Sequence, residues 1–391
     1  MADSSSPSIN SSRRMKFLKA AFRAMEPPNC FVSLAKQIGG GSITEEVQTY
    51  ILEHCINNVV EGNAYNSMYV RNILKKIILA AESTSEVTMD GLYEQLTLHM
   101  TLQRDEDSLK EKSRIFKEIS FLFPGYDDCS DSLDLVFPLQ CSLNMLEGDT
   151  GCALWPSSLF LSEIIVTYQD TFSNKVCFEQ VGSGAGLIGI SLIRVGASEV
   201  VLTDGDESTL ANMKYNLELN KLPLETKVLQ KTNVVCKHLK WESPSKRELQ
   251  HYRPDIVLGA DIIYDPICVP HLIQVLSILL SGNANDCEST HHDEDQRNNT
   301  SDGDVMKVEP PIAYIAQVIR NHETFNYFLK LAEESYLCVV DITEEKQPYN
   351  LLPYMLSYDR SSVRLFKVSS LRNCNILSSS AVSIRELRGL P

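Results

Sequence analysis

The sequence lacks the features that mark membrane, zinc-binding and nucleic-acid-binding proteins. No hydrophobic run approaches the roughly 20 residues that a membrane-spanning helix needs. The eleven cysteines form no C-x-x-C pair, which argues against a zinc site and against a disulfide framework. The formal net charge is −15, so the chain has no basic excess for nonspecific binding to nucleic acid. We therefore expect a globular protein with reduced thiols and no metal, acting without direct contact to nucleic acid or membrane.

The length and the distribution of motifs predict two domains. A chain of 391 residues can build two hydrophobic cores. Residues 1–14 are rich in serine and are expected to form a disordered N-terminus, followed by a helical accessory domain over residues 15–145. Residues 146–391 carry the motifs described below, and their acidic, low-complexity stretch at 281–308 is expected to be a disordered surface insertion.

Apolar residues recur at helical spacing through the N-terminal half. A capping box at residues 42–45 starts one helix, and others are predicted over 92–100 and from Ile115 to Phe121. No cluster with catalytic or metal-binding chemistry stands out here, so a role in substrate recognition is inferred by elimination.

A basic amphipathic stretch at 15–23 predicts a first helix. The same composition is typical of an organelle transit peptide, which leaves an organellar location open beside the expected cytoplasmic one.

The most informative stretch reads as strand, glycine-rich turn, helix and strand. A short apolar strand ends on Glu179, and after the turn and helix a β-branched run ends on Asp204. Glycines let the main chain turn tightly and approach a ligand, while the helix N-terminus offers unpaired N–H groups. A carboxylate at the end of the second strand can accept hydrogen bonds from ribose hydroxyls. The three glycines of the turn are Gly182, Gly184 and Gly186.

The spacing of these residues separates two classes of nucleotide cofactor. A dinucleotide fingerprint, G-x-G-x-x-G, needs a small residue at position 187, where this chain has Leu187. The pattern here is E-x-x-G-x-G-x-G, with Glu179 three residues before the first glycine. A carboxylate at that place suits a cofactor that carries an ammonium group and repels a pyrophosphate. The pattern resembles motif I of the class I S-adenosylmethionine (AdoMet) methyltransferases.

A second strand-like stretch, at residues 255–264, ends on polar residues. Ligands of doubly wound sheets bind beyond the carboxyl ends of the strands, so Asp261 and Tyr264 are expected where an acceptor substrate meets the methyl group. Asp261 can alternatively be an acid on the cofactor side or a purely structural one.

The two tryptophans of the chain flank these motifs. Trp155 precedes an amphipathic helix that is expected to lie over the cofactor cleft, and plain core packing is its alternative. Trp241 follows the presumed third strand of the sheet, in the region where class I methyltransferases read adenine. A flat indole stacks well on a base, but core packing of Trp241 is equally compatible with the sequence.

Four features together resemble the family 16 protein-lysine methyltransferases. They are Trp155-Pro156, the stretch from Glu179 to Gly186, the loop that ends on Trp241, and the D-x-x-Y motif from Asp261 to Tyr264. With its helical N-terminal half, the chain resembles the branch that methylates a lysine of eukaryotic translation elongation factor 2. The insertion at 281–308 departs from the common pattern.

The resemblance implies a fold, a cofactor and a set of roles. The fold is a Rossmann-like, seven-stranded class I methyltransferase domain preceded by a mostly α-helical domain. The activity is AdoMet-dependent methylation of a protein lysine by a monomer, with elongation factor 2 as the partner. Asp261 and Tyr264 hold the target lysine. The resemblance implies that the following residues bind the cofactor, including those of the glycine turn: Trp155, Glu179, Gly182, Ser183, Gly184, Gly186, Asp204, Trp241 and Ala260.

A methyltransferase of a small molecule or a nucleic acid remains open, but the stretch from Asp261 to Tyr264 stands where an N-P-P-Y type motif for exocyclic amines would be, which favours a protein lysine. Three further alternatives remain open at the level of the sequence. An NAD-type oxidoreductase is disfavoured by Leu187 and by the D-x-x-Y stretch. A scaffold that binds AdoMet without catalysis is disfavoured by the presence of Glu179, Asp204 and Asp261. A methyltransferase of another protein is the third, because the N-terminal half alone separates the elongation factor branch from its relatives.

Overall fold

The structure is a computed structural model of the whole chain. It describes residues 7–57, 67–84, 86–106, 114–124, 134–142, 150–179, 184–221, 232–281 and 309–371. The expected insertion at 281–308 lies outside these ranges, apart from Ser281. Within these ranges, no helix is both long and apolar enough to cross a membrane.

The N-terminal half begins with a helical body. Its core is built from residues such as Leu18, Phe22, Phe31 and Ile73, which are all buried. The expected capping box, with Ser42 as the cap, is wrong by two residues. Thr44 caps the helix that starts at Glu45 by accepting a hydrogen bond from the Val47 N–H, while the Ser42 hydroxyl donates to Glu86. The first helix begins at Pro7, earlier than the expected start at residue 15. The helices are α1 (Pro7–Arg23), α2 (Pro28–Ile38), α3 (Glu45–Tyr50) with a π-helical continuation (Ile51–Ile56), α4 (Ser67–Glu82) and α5 (Asp90–Glu106).

The helix expected from Ile115 to Phe121 is wrong, because this segment is a β-strand. Strand β1 (Arg114–Phe121) pairs antiparallel with β2 (Leu135–Ser142). Apolar residues four apart fit one face of a helix, but they also fit one face of a strand, whose side chains alternate. Pairing with β2 favours the strand over the helix, and Phe137 of β2 packs edge-to-face on Phe121 with ring centroids 5.4 Å apart.

The second half forms a seven-stranded sheet flanked by helices, as the sequence predicts. The strand order is β5-β4-β3-β6-β7-β9-β8, parallel except for β9, which runs antiparallel to both neighbours. The strands are β3 (Val176–Glu179), β4 (Glu199–Asp204), β5 (Asn233–His238), β6 (Ile256–Ala260), β7 (Ile312–Val318), β8 (Leu337–Asp341) and β9 (Val363–Ser370). The helices are α6 (Pro156–Thr167), α7 (Gln169–Phe172), α8 (Leu187–Arg194), α9 (Glu207–Leu219), α10 (Lys246–Tyr252), α11 (Val269–Leu279) and α12 (His322–Glu334).

The order of the strands fixes where a ligand can bind. Strands β4 and β5 lie on one side of β3, whereas β6 and β7 lie on the other. The direction of winding therefore reverses between β3 and β6, and a crevice opens at the carboxyl ends of these strands. Glu179, Asp204 and Asp261 all lie at that edge, at or directly after the ends of β3, β4 and β6.

The helical body and the hairpin are attached to the sheet domain through the segment between β8 and β9. The Tyr354 hydroxyl is fully buried and accepts a 2.8 Å hydrogen bond from the Ser120 N–H of β1. Glu26, just after α1, accepts from both the N–H and the hydroxyl of Ser357. On the sheet side, Glu163 of α6 accepts from the Leu351 N–H at 2.8 Å. One segment thus contacts both halves of the chain.

A ladder of asparagines attaches the hairpin to α9. Asn216 accepts from the Gln140 N–H at 2.7 Å and donates to the Gln140 carbonyl at 3.0 Å. It also donates to the carbonyl of Ala185, which lies in the glycine turn, at 2.8 Å. Asn212 and Asn220, one turn before and after, donate to β2 carbonyls as well. The hairpin therefore helps to fix the position of the glycine turn.

Replacing Tyr354 by Phe tests the attachment of the hairpin. The substitution keeps the ring but leaves the buried Ser120 N–H without its acceptor, which costs about 1–3 kcal/mol. We expect this loss in the free energy of unfolding measured by urea denaturation. Tyr349→Phe is the matched control, because Tyr349 is exposed, and it should change stability by less than about 0.5 kcal/mol. Equal stability of both variants would contradict the attachment.

Candidate active site

The glycine turn follows β3 and lies against the main chain of residues 151–153. Gly182 and Ser183 lie outside the described residues, whereas Gly184 and Gly186 lie within them. Gly184 has a φ of +44°, and a Cβ there would lie 2.4 Å from the Gly151 carbonyl oxygen. Gly186 has a φ of +79° and directly precedes α8. Both positions require glycine, for conformation and, at Gly184, also for space.

Glu179 ends β3 and is buried in the domain interior. It is 1% exposed, and its main-chain carbonyl accepts a hydrogen bond from the Thr203 hydroxyl. A Cβ added at Gly189 of α8 would lie 3.2 Å from Glu179 Oε2, so the carboxylate packs closely on this helix. A buried carboxylate at the switch point of the sheet is suited to a cationic group.

Asp204 ends β4, at the neighbouring position along the same edge. Its Oδ1 accepts a 2.9 Å hydrogen bond from the Asp206 N–H. Burial raises the pKa of Asp204 to about 6, and the hydrogen bonds from the Asp206 and Gly205 N–H groups only partly offset this effect. The carboxylate therefore loses its charge in mildly acidic solution.

Asp261 directly follows β6 and is held by several donors. Its φ is +53°, a left-handed conformation that is uncommon for residues other than glycine. Its Oδ1 accepts from the Val318 N–H at 3.0 Å and from the Gln317 side chain at 3.4 Å, both at the end of β7. Ala260, which precedes it, pairs with Ala316 of β7. These bonds fix a buried carboxylate at the crevice.

Arg320 is a site residue that the sequence reasoning missed. Its guanidinium contacts both oxygens of Asp261, with Nη1–Oδ1 at 3.1 Å and Nη2–Oδ2 at 3.2 Å. It also lies over the Trp155 ring, 5.2 Å from the ring centroid. A signal was available, since Arg320 comes two residues after β7 and the carboxyl ends of all parallel strands share one edge.

The two tryptophans have different surroundings. Trp155 directly precedes α6 and contacts Arg320, which pairs with Asp261. Trp241 is 6% exposed and belongs to a hydrophobic cluster with Phe178 and Ile262. Of its two expected roles, core packing is the one that these contacts display.

Tyr264 stands at the open side of the crevice. It is 63% exposed, while the neighbouring Ile262 and Ile263 are buried. Partial loss of hydration raises the pKa of the Tyr264 hydroxyl, and nearby acidic groups, among them Asp265, Asp204 and Glu242, raise it further. The D-x-x-Y motif thus connects the interior of the crevice with its rim.

The fold and the site together define a class I methyltransferase domain, whose cofactor is AdoMet. The donor set fits this cofactor, because carboxylates at the ends of β3 and β4 suit an ammonium group and ribose hydroxyls. Residues 138–301 match a family of proteins described as lysine methyltransferases. This part of the chain is therefore similar to the lysine methyltransferases.

Two relatives cover more of the chain than the family match does, and a third covers less. An uncharacterised protein of Dictyostelium discoideum is 32% identical in an alignment of 239 positions that covers 56% of this chain and 58% of the relative. The human protein-lysine N-methyltransferase EEF2KMT is 27% identical over 66% of this chain and 68% of its own length. The protein-lysine N-methyltransferase EFM3 of Chaetomium thermophilum is 30% identical over 36% of this chain and 41% of its own length.

Similarity to solved structures is weak. A methyltransferase complexed with SAH, SMU.776, has 11% sequence identity and a TM-score of 0.35, and the match covers 71% of this chain and 65% of the other. At this TM-score the similarity adds nothing to the family match.

Binding of the cofactor should depend on the charge of Asp204. If Asp204 binds the ribose, its ionised carboxylate can accept hydrogen bonds from both hydroxyls, so affinity for S-adenosylhomocysteine should be constant above about pH 7. It should fall up to about tenfold per pH unit below the pKa of about 6. Because this pKa lies above the ordinary 3.8, protonation of Asp204 favours the folded state, and unfolding driven by Asp204 does not cause the loss.

Calorimetric titration between pH 5 and pH 8 measures this dependence. The control is Asp204→Asn, which should bind weakly at every pH and show no such slope. An identical slope in the variant and the wild type would assign the pH dependence to another group.

Proposed function

We propose that the chain transfers a methyl group from AdoMet to the ε-amine of a lysine in a protein, and that this protein is translation elongation factor 2. The observation that carries the proposal is the buried carboxylate of Asp261 at the end of β6, beside an exposed Tyr264. The family match and the name of the human relative support lysine as the acceptor. The resemblance of the whole chain to the elongation factor branch supports the choice of substrate.

The cofactor is proposed to bind along the carboxyl ends of β3, β4 and β6. Glu179 and the glycine turn would face its methionine part, and Asp204 its ribose. When bound, AdoMet supplies an electrophilic methyl group on a sulfonium, and its C–S bond breaks as the new N–C bond forms. The proposed contacts are Trp155, Glu179, Gly182, Ser183, Gly184, Gly186, Asp204 and Ala260. Trp241, which was also expected from the sequence, packs in a hydrophobic cluster instead.

Asp261 and Tyr264 are proposed to orient the target lysine. An ε-ammonium group has no lone pair, so it must release a proton to water before its nitrogen can attack. Asp261 offers an acceptor that is fixed by hydrogen bonds from β7, and such a fixed acceptor aligns the amine. Tyr264 adds an exposed aromatic ring against which the aliphatic part of a lysine can pack. Alignment supplies much of the rate in this proposal.

The N-terminal body is proposed to recognise the folded substrate. It is joined to the sheet domain by the contacts of Tyr354 and Glu26, and its hairpin reaches the glycine turn through Asn216. A protein that binds to this body would therefore lie beside the domain that holds the crevice. The net charge of −15 suits a basic partner surface.

Labelling of a cell extract tests the substrate directly. Purified protein is incubated with radiolabelled AdoMet and an extract from cells that lack this enzyme, and labelled bands are analysed by mass spectrometry. We expect one labelled band at elongation factor 2, methylated on lysine. A different labelled protein would reject elongation factor 2 and retain the methyltransferase. No label from a protein that still binds AdoMet would favour a scaffold.

Asp261→Asn tests the acceptor side of the site. The substitution keeps the size of the side chain but removes its charge, so we expect turnover to fall by about 100-fold or more while S-adenosylhomocysteine still binds. Single-turnover kinetics and calorimetry measure the two effects separately. Asp170→Asn, at an exposed position of α7, is the control and should behave like the wild type. Wild-type turnover in Asp261→Asn would remove this residue from the site.

A further inference from the structure

The ion pair between Asp261 and Arg320 leaves the two carboxylate oxygens unequal. Oδ1 accepts hydrogen bonds from the Val318 N–H, the Gln317 side chain and Arg320 Nη1. Among donors in the described part of the chain, only Arg320 Nη2 reaches Oδ2. A carboxylate oxygen has two lone pairs, so Oδ2 keeps one for a further donor. The geometry therefore provides a single acceptor position with a fixed direction.

Arg320 is itself held on its other side. Its guanidinium lies 5.2 Å from the centroid of the Trp155 ring, a distance at which cation–π attraction is effective. The Arg320 side chain is 45% exposed, whereas that of Asp261 is 5% exposed. The pair therefore joins a buried carboxylate to a half-exposed cation.

The charge of the pair matters for an amine nucleophile. A carboxylate without a counter-ion stabilises a nearby ammonium and raises the pKa of the amine, which keeps the amine protonated and unreactive. A guanidinium is permanently charged and neutralises the carboxylate without removing its remaining lone pair. The paired carboxylate can therefore orient an amine without stabilising its protonated form.

We propose that Arg320 is a positioning residue that neutralises Asp261, so that Asp261 accepts a hydrogen bond from the substrate lysine without acting as a counter-ion that keeps it protonated. This inference rests on the proposed function. The proton of the ammonium goes to water, and the freed nitrogen lone pair forms the N–C bond as the C–S bond breaks. Arg320 takes no part in bond making; it sets the fraction of lysine that is neutral at a given pH.

Other charged groups at this edge stay constant when Arg320 alone is changed. They influence the pH profile of kcat equally in each variant. Their effects therefore cancel when the profiles of two Arg320 variants are compared. Those around Tyr264 and at the start of α12 are Asp204, Glu242, Asp265, Cys268, His322 and Glu323.

Two substitutions separate the charge of Arg320 from its shape. Arg320→Gln removes the charge and keeps a hydrogen-bond donor, whereas Arg320→Lys keeps the charge and loses the planar two-pronged contact. The rate constant kcat is measured between pH 6.5 and pH 10 on the protein labelled in the extract experiment. In Arg320→Gln, we expect the rising limb of the kcat–pH profile to move to higher pH by about 1 unit or more. The limb of Arg320→Lys should stay at the wild-type position, even where its rate is lower.

Binding gives a second readout without catalysis. The affinity of each variant for the unmethylated substrate protein is measured by interferometry at pH 7.5 in the absence of cofactor. A bare Asp261 binds the lysine ammonium more strongly, so Arg320→Gln should bind up to about tenfold more tightly while it turns over more slowly. Damage to the fold would weaken both binding and turnover. The double variant with Asp261→Asn should lose the added affinity and the shifted limb.

The outcomes separate this inference from the proposed function. A shifted limb and tighter binding in Arg320→Gln alone support the inference. An unshifted limb, weaker binding, or the same shift in Arg320→Lys would overturn it while the wild type still methylates lysine. A wild-type protein that labels no lysine would overturn the proposed function, and the inference with it.

Discussion

Burying a carboxylate is costly unless donors or cations compensate it, and this constraint recurs at every important point of the molecule. Glu26 and Glu163 are buried where the segment before β9 meets the helical body and α6. Burial raises the pKa of both carboxyl groups, and hydrogen bonds from that segment counteract the rise. Glu26 and Glu163 therefore stabilise the fold only while these hydrogen bonds are formed.

Inside the crevice, the free-energy cost of burying a carboxylate is compensated in two different ways. Asp204 is only partly compensated by main-chain N–H groups, and its pKa rises to about 6. Asp261 is surrounded by donors from the end of β7 and by Arg320. An incompletely compensated acid is suited to a ligand that brings its own hydroxyl donors, whereas a neutralised one is suited to orienting an amine. Two carboxylates on the strands that flank β3 thus acquire different chemistry from their surroundings.

The sequence predicts the sheet domain well because local patterns define it. Glycines with positive φ, an acid before the turn and a carboxylate after the next strand occupy fixed offsets within one βαβ unit. The hairpin was predicted wrongly because Ile115 and Ile119 are compatible with either period, and the decisive partner strand lies beyond a polar stretch. Arg320 was missed for a related reason, since its pairing with Asp261 spans 59 residues and no local pattern reports it.

The segment between β8 and β9 also has a consequence for synthesis of the chain on the ribosome. Glu26 bonds to a residue 331 positions later, and the Ser120 N–H bonds to a hydroxyl 234 positions later. The helical body emerges from the ribosome before the residues with which its buried groups bond. Contacts of such separation form late and leave apolar surface exposed in the meantime. The N-terminal half therefore completes its packing only after residue 357 has left the exit tunnel.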